Sequence, residues 1–198
     1  MHHHWDKGLN LKKIIHDYAP SHIVECGAGS GENTRLLRSL GGFKLTVISD
    51  NKIDVDGISF IQGVSYLEIP KLDMADMFII DTDHNYWTLI NELNVIDSKL
   101  TDGGLIALHD VSTYYHDTGM ALSYSDGTEY PRIEIEDCGK KMGGVGSALI
   151  DFLSLMRFKY KLLSFTSESN GAAVIIKGNV KELVYSVPGK DAVYANQA

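Results

Sequence analysis

Acids and imidazoles crowd two short stretches of this chain, Asp81-Thr82-Asp83-His84-Asn85-Tyr86 and His109-Asp110, and each follows an apolar run. A carboxylate or imidazole can take the proton of a hydroxyl nucleophile. Carboxylates joined by an imidazole can instead hold a divalent cation that lowers the hydroxyl pKa. A third stretch, Ile23-Val24-Glu25-Cys26-Gly27-Ala28-Gly29-Ser30-Gly31, runs from β-branched residues through an acid into three alternating glycines. Glycines in such a turn let the backbone bend sharply and approach a ligand closely, as α/β proteins do with nucleotide-like ligands. Asp50-Asn51 ends a further apolar run about twenty residues beyond the glycines, where an acid accepts hydrogen bonds from ribose hydroxyls. The same pair also suits a plain turn.

These residues converge only if the apolar runs before them are strands of one sheet. Residues 21–26, 43–48, 58–61, 77–80 and 105–108 read as strands, and helical spacing falls on 9–18, 34–40 and 87–100. A weak helix precedes 77, and Asp102-Gly103-Gly104 reads as a turn. Residues 145–158 read as a helix, and 161–165 and 172–177 as strands around a hairpin turn. Alternating strands and helices predict an α/β fold, a Rossmann-like, doubly wound, mostly parallel sheet closed by a C-terminal antiparallel hairpin. Ligands of such sheets lie beyond the carboxyl ends of the strands. Glu25, Asp50, Asp81 with Asp83, and His109 with Asp110 all fall at strand ends. Residues 1–178 are read as one domain and 179–198 as a C-terminal tail. The inserted loop at 112–145, which carries Tyr114, Tyr115, His116, Asp117, Tyr124 and Tyr130, suits a lid or a surface contact.

The glycine spacing separates two ligand classes. Dinucleotide sites read Gly-x-Gly-x-x-Gly, with a pyrophosphate at the helix N-terminus. This chain reads Gly-x-Gly-x-Gly with Glu25 two residues upstream, a poor neighbour for pyrophosphate and a good one for a cationic or amino-bearing ligand. The stretch resembles motif I of the class I S-adenosylmethionine (SAM) dependent methyltransferases. Asp81 to Tyr86, followed by Gly103-Gly104 and His109-Asp110, resembles the small-molecule O-methyltransferase branch that reads Asp-Gly-Asp-His-x-Tyr, then Gly-Gly and His-Asp or Asp-Asp. Thr82 stands where that branch has glycine.

The resemblance spans roughly residues 20–178 and implies a seven-stranded sheet, SAM as cofactor and, in some relatives, magnesium. It implies cofactor contacts from Glu25, Gly27, Ala28, Gly29, Asn33, Asp50, Asn51, Gly63, Val64 and Asp81. Glu25 faces the methionine part, or caps a helix. Asn33 and Thr34 meet its carboxylate, or cap the helix. Gly63 and Val64 lie at the adenine, with Val64 where an acid is frequent. Asp81, His109 and Asp110 are the expected ligands of magnesium or another divalent metal. Asp83 or His84 is the expected base, with His109 among the catalytic groups.

Composition narrows the partners. The chain has 198 residues, 44% hydrophobic and 22% charged, with net charge −8. That acidic balance argues against a nucleic-acid backbone as partner. Cys26 and Cys138 form neither a disulfide framework nor a zinc spacing, which fits a reducing, cytoplasmic setting. No apolar run approaches the roughly 18 residues of a membrane span. His2-His3-His4 carries no functional reading. The expected activity is SAM-dependent methyl transfer to a small-molecule acceptor, at a hydroxyl oxygen, by a chain compatible with homo-oligomers. The alternatives are a non-catalytic SAM- or nucleoside-binding protein, a metal-dependent hydroxylase-like relative, and an NAD-dependent oxidoreductase.

Overall fold

The computed structural model describes residues 9–111, 144–167 and 171–178. Helix α1 (Leu11–Tyr18) leads into β1 (His22–Cys26), followed by α2 (Glu32–Leu40), β2 (Lys44–Ser49) and β3 (Ser59–Gln62). A short α3 (Ser65–Glu68) precedes β4 (Ala75–Ile80), α4 (Tyr86–Ile96) and β5 (Leu100–His109). Then come α5 (Val145–Leu155), β6 (Tyr160–Thr166) and β7 (Ala172–Lys177). The aromatic loop residues from 112 to 143, Cys138, His2-His3-His4 and the tail 179–198 lie outside the described residues.

All seven strands join one sheet in the order β3-β2-β1-β4-β5-β7-β6. The first five pair in parallel, and β7 runs antiparallel between β5 and β6. This is the mostly parallel sheet with a C-terminal antiparallel pair that the sequence predicts. The direction of winding reverses between β1 and β4, and in sheets of this kind the ligand crevice lies beyond the carboxyl ends of the strands at that point.

The central strands are near-continuous apolar runs because both of their faces are covered. Side chains alternate between the two layers. Val24, Cys26, Phe78, Ile80, Ile106 and Leu108 join a core with Leu89, Leu93 and Ile96 of α4 and Ala148 and Phe152 of α5. Ile23, Met77, Ile79, Leu105 and Ala107 face the other way, into a core with Leu11, Ile14 and Ile15 of α1 and Leu37 of α2. Among the described residues, no helix is long and apolar enough to cross a membrane.

One boundary differs from the sequence reading. Asp102-Gly103-Gly104, a turn by composition, lies inside β5, where the register against β4 shifts between Ala75 and Met77 and Gly103 takes φ +82°. An irregularity of this kind bends a strand without ending it. Leu100, which continues the helical stripe in sequence, therefore pairs with Ala75 as a strand residue, and α4 stops at Ile96.

The crevice is held at its base by a close backbone crossing. Gly27 N–H donates to the Ile48 carbonyl at 2.9 Å, and Asp81 N–H donates to the Cys26 carbonyl at 2.9 Å. Gly27 has φ +85°, and a Cβ there would lie 2.1 Å from the Asp81 carbonyl oxygen. Gly27→Ala should therefore cost about 2–5 kcal/mol, from a left-handed alanine and a forced separation of β1 from β4. Urea denaturation measures it; a midpoint equal to wild type would contradict this account of the crossing.

Candidate functional site

The glycine turn leaves β1 and enters α2 without filling the space above it. Gly29 has φ +52°, and a Cβ on it would meet nothing within 4 Å. Gly31, at φ +79°, starts α2, and its N–H donates to the Ala28 carbonyl at 2.7 Å. The backbone of Gly27, Ala28 and Gly29 is thus shaped for a ligand to lie along it.

Glu25, 1% exposed, sits beneath this turn. One of its oxygens accepts from Asn33 Nδ2 at 2.8 Å and the other from Thr34 Oγ1 at 2.6 Å. Burial pushes its pKa up to about 7, against the pull of those two bonds. Glu25 thereby ties β1 to the first turn of α2. Asn33 and Thr34 spend these donors on Glu25 rather than on capping. The Asn33 Oδ1 is buried without a hydrogen-bond partner.

Beyond β2, the half-buried Asp50 accepts from the Asn51 N–H at 2.8 Å, and its own carbonyl accepts from Gln62 Nε2 at 3.0 Å. Gly63 N–H donates to the Ser49 carbonyl at 3.1 Å, which holds the β3 exit beside the β2 exit. The Val64 carbonyl accepts from the Leu67 and Glu68 N–H groups and so opens α3.

Across the winding reversal, β4 and β5 present the acid and imidazole cluster. His84 Nε2 lies 2.8 Å from Asp110 Oδ2 and 3.4 Å from Asp81 Oδ1. His109 Nδ1 lies 3.2 Å from Asp110 Oδ1 and 3.4 Å from Asp81 Oδ1. The bonds to Asp110 and Asp81 raise the His84 pKa to about 10. For His109, burial opposes the same two acids and loses, leaving it at about 9. Burial also works against the carboxylates, yet the imidazoles hold Asp81 below its ordinary value and Asp110 far below. Asp110 takes φ +57°, a conformation that non-glycine residues rarely adopt and that clusters at functional sites.

One ligand atom from each of Asp81, His84 and Asp110 lies within 4.8 Å of the other two. Two carboxylates and an imidazole suit a divalent cation, the nitrogen donor leaning toward a transition metal over magnesium. The imidazole of this trio is His84, while His109, named with the acids from sequence, stands beside it within ion-pair distance of both. Asp83 lines the same cleft as Asp81, His84 and His109, together with Leu89, Leu108 and Val145. Its carboxylate is 3.5 Å from the Thr88 hydroxyl, and its carbonyl accepts from the Asn85 N–H at 2.9 Å. Asn85 in turn caps α4, accepting from the Thr88 N–H at 2.8 Å.

Sequence reasoning missed Glu92. It is fully buried on α4, accepting from the Ser65 hydroxyl on one oxygen and from Thr82 Oγ1 at 3.0 Å on the other. The available signal was an acid inside the apolar stripe Leu89, Leu93, Ile96. Burial pushes its pKa up to about 8 from an ordinary 4.5, against the Ser65 and Thr82 bonds and with the help of nearby Asp83. Folding then takes up a proton between those two values. The Glu92 contribution to stability is complete below about pH 4.5 and is lost as pH rises through about 8. Between those limits wild type should lose about 1.4 kcal/mol per pH unit relative to Glu92→Gln. Urea denaturation at a series of pH values checks this, and parallel curves for the two proteins would contradict it.

Neither a protein-family model nor a curated protein matches this sequence. Solved structures match its fold. A Podospora anserina methyltransferase bound to S-adenosylhomocysteine (SAH) aligns with TM-score 0.54 and 17% identity, over 85% of this chain and 76% of that one. A Bacillus cereus O-methyltransferase in complex with SAH gives TM-score 0.57 and 12% identity, over 85% and 79%. MycE, from the mycinamycin biosynthetic pathway and in complex with Mg and SAH, gives TM-score 0.60 and 16% identity over 84% of this chain and 48% of its own. The present chain thus spans about half the length of MycE. At such identities the likeness is one of architecture, and the architecture of this chain is the class I methyltransferase fold.

Proposed function

We propose that the protein is a SAM-dependent methyltransferase acting on a hydroxyl oxygen of a small-molecule acceptor, with help from a divalent cation. The observation that carries this reading is convergence on one crevice. The open glycine turn, Asp50 and the Asp81, His84, His109, Asp110 cluster all stand at carboxyl ends of strands around the winding reversal. Structures of the same fold that hold SAH, and in MycE magnesium as well, support it.

When bound, SAM supplies a methyl group on a sulfonium, the electrophile of an in-line displacement whose catalysis is largely positioning. Gly27, Ala28 and Gly29 would hold its methionine part, beside the unpaired Asn33 oxygen and the buried Glu25. Asp50 and Asn51 would meet the ribose, Gly63 and Val64 the adenine, and Asp81 would close the inner wall. Asp81, His84 and Asp110 would hold a divalent cation, which would supply a lowered hydroxyl pKa. His109 would then orient the two carboxylates by its charge, within ion-pair distance of both. With His84 among the ligands, Asp83 is the group left on the cleft wall to receive the acceptor's proton. Apolar Leu89, Leu108 and Val145 in the same lining keep water from competing with it.

Calorimetric titration of the metal-stripped protein tests the reading. SAH should bind and NADH should not. Manganese or magnesium should then give a binding heat that disappears in Asp81→Ala and Asp110→Ala. Asp50→Ala should weaken SAH binding about 10- to 100-fold, the loss of hydrogen bonds to a charged acceptor. Binding of NADH without SAH would overturn the proposal in favour of an oxidoreductase.

A further inference from the structure

The two rims of the crevice are joined by one carboxyl group that the crevice itself never exposes. The Gly63-Val64-Ser65 turn follows β3, and the Asp81-Thr82-Asp83 turn follows β4; β2 and β1 lie between those strands. Ser65 and Thr82 nevertheless donate their hydroxyls to opposite oxygens of the same side chain, Glu92. Glu92 is 0% exposed and Ser65 6%, so this junction sits under the floor, in the α4 layer.

An acid is an expensive choice for that position. Leu89, Leu93 and Ile96 of α4 are buried along with it, and a buried carboxyl costs several kcal/mol unless its oxygens are bonded. Both oxygens are bonded, and each bond reaches a different rim. Thr82 fits this arrangement: the hydroxyl at a position where the resembled branch carries glycine is the group that reaches Glu92. A fully satisfied buried network of this kind rigidifies what it connects.

We propose that Glu92 is a positioning residue that locks the adenine-side turn Gly63-Val64-Ser65 to the catalytic turn Asp81-Thr82-Asp83, fixing the span across which cofactor and acceptor are held. The inference rests on the methyltransferase reading. Glu92 acts only through Ser65 and Thr82, since it is closed off from the crevice. Burial favours its protonated form, in which one oxygen donates to a hydroxyl and the other accepts, so glutamine, with one donor and one acceptor, is the nearest replacement.

The test is SAH affinity by calorimetry, on full-length variants shown to be folded by circular dichroism at the titration temperature. Ser65→Ala and Thr82→Val should each weaken SAH binding about five- to tenfold, the loss of one hydrogen bond. The double variant should be little worse than either single one, because cutting either bond already frees the two rims. Glu92→Leu should match the double variant, and Glu92→Gln should keep more affinity than Glu92→Leu. Losses that simply multiply in the double variant, or folded variants that bind SAH as wild type does, overturn the inference and leave the methyltransferase reading intact. If Glu92→Leu does not fold, the Ser65 and Thr82 variants carry the test. Failure of wild type itself to bind SAH overturns both.

Discussion

At Gly27 the chain leaving β1 passes so near the Asp81 carbonyl that no side chain fits between them, a Cβ there lying 2.1 Å from the oxygen. Two hydrogen bonds flank this crossing, from Gly27 to Ile48 and from Asp81 to Cys26. Together they bind the exits of β1, β2 and β4 into one rigid floor. The distance from the glycine turn to the acid cluster is then a property of the backbone, with no flexible side chain to set it. Such precision is what a displacement reaction needs from its protein, because reacting atoms must be brought nearly into contact along one line.

The crevice keeps its charges in two different ways. Under the floor, Glu25 and Glu92 are buried and bonded by uncharged donors, Asn33 and Thr34 for one, Ser65 and Thr82 for the other. Burial raises both carboxyls, Glu92 further than Glu25, so each joins its elements with less charge than an exposed carboxylate would carry. In the cleft, two carboxylates face two imidazoles, and the charges balance one another. That second arrangement has ligand atoms pointing at a common centre and one exposed member, His84. The first kind of site fixes geometry, and the second kind is free to exchange its internal pairs for a cation or an acceptor.

Much of this is legible in the sequence, for physical reasons that differ from part to part. The central strands announce themselves because burial on both faces demands continuous apolar runs such as Met77-Phe78-Ile79-Ile80. The strand-end residues follow, since a parallel α/β sheet sends every strand's carboxyl end to the same side. The irregular start of β5 is hidden because Gly103-Gly104 has the composition of a turn, and only pairing with β4 keeps it in the sheet. The exchange of His84 for His109 in the cation-sized trio depends on how the turn before α4 aims a side chain, which spacing does not carry. Glu92 was readable as an acid on an apolar stripe, but its partners Ser65 and Thr82 come from other elements and become visible only in three dimensions.

A crystal structure of the protein grown with SAH and manganese, with anomalous data at the manganese edge, tests the central claim most directly. The expected result is SAH along Gly27-Ala28-Gly29 with its ribose on Asp50, and one anomalous peak bounded by Asp81, His84 and Asp110. SAH seated away from the carboxyl ends of β1 and β2, or a manganese peak away from those three side chains, would contradict it.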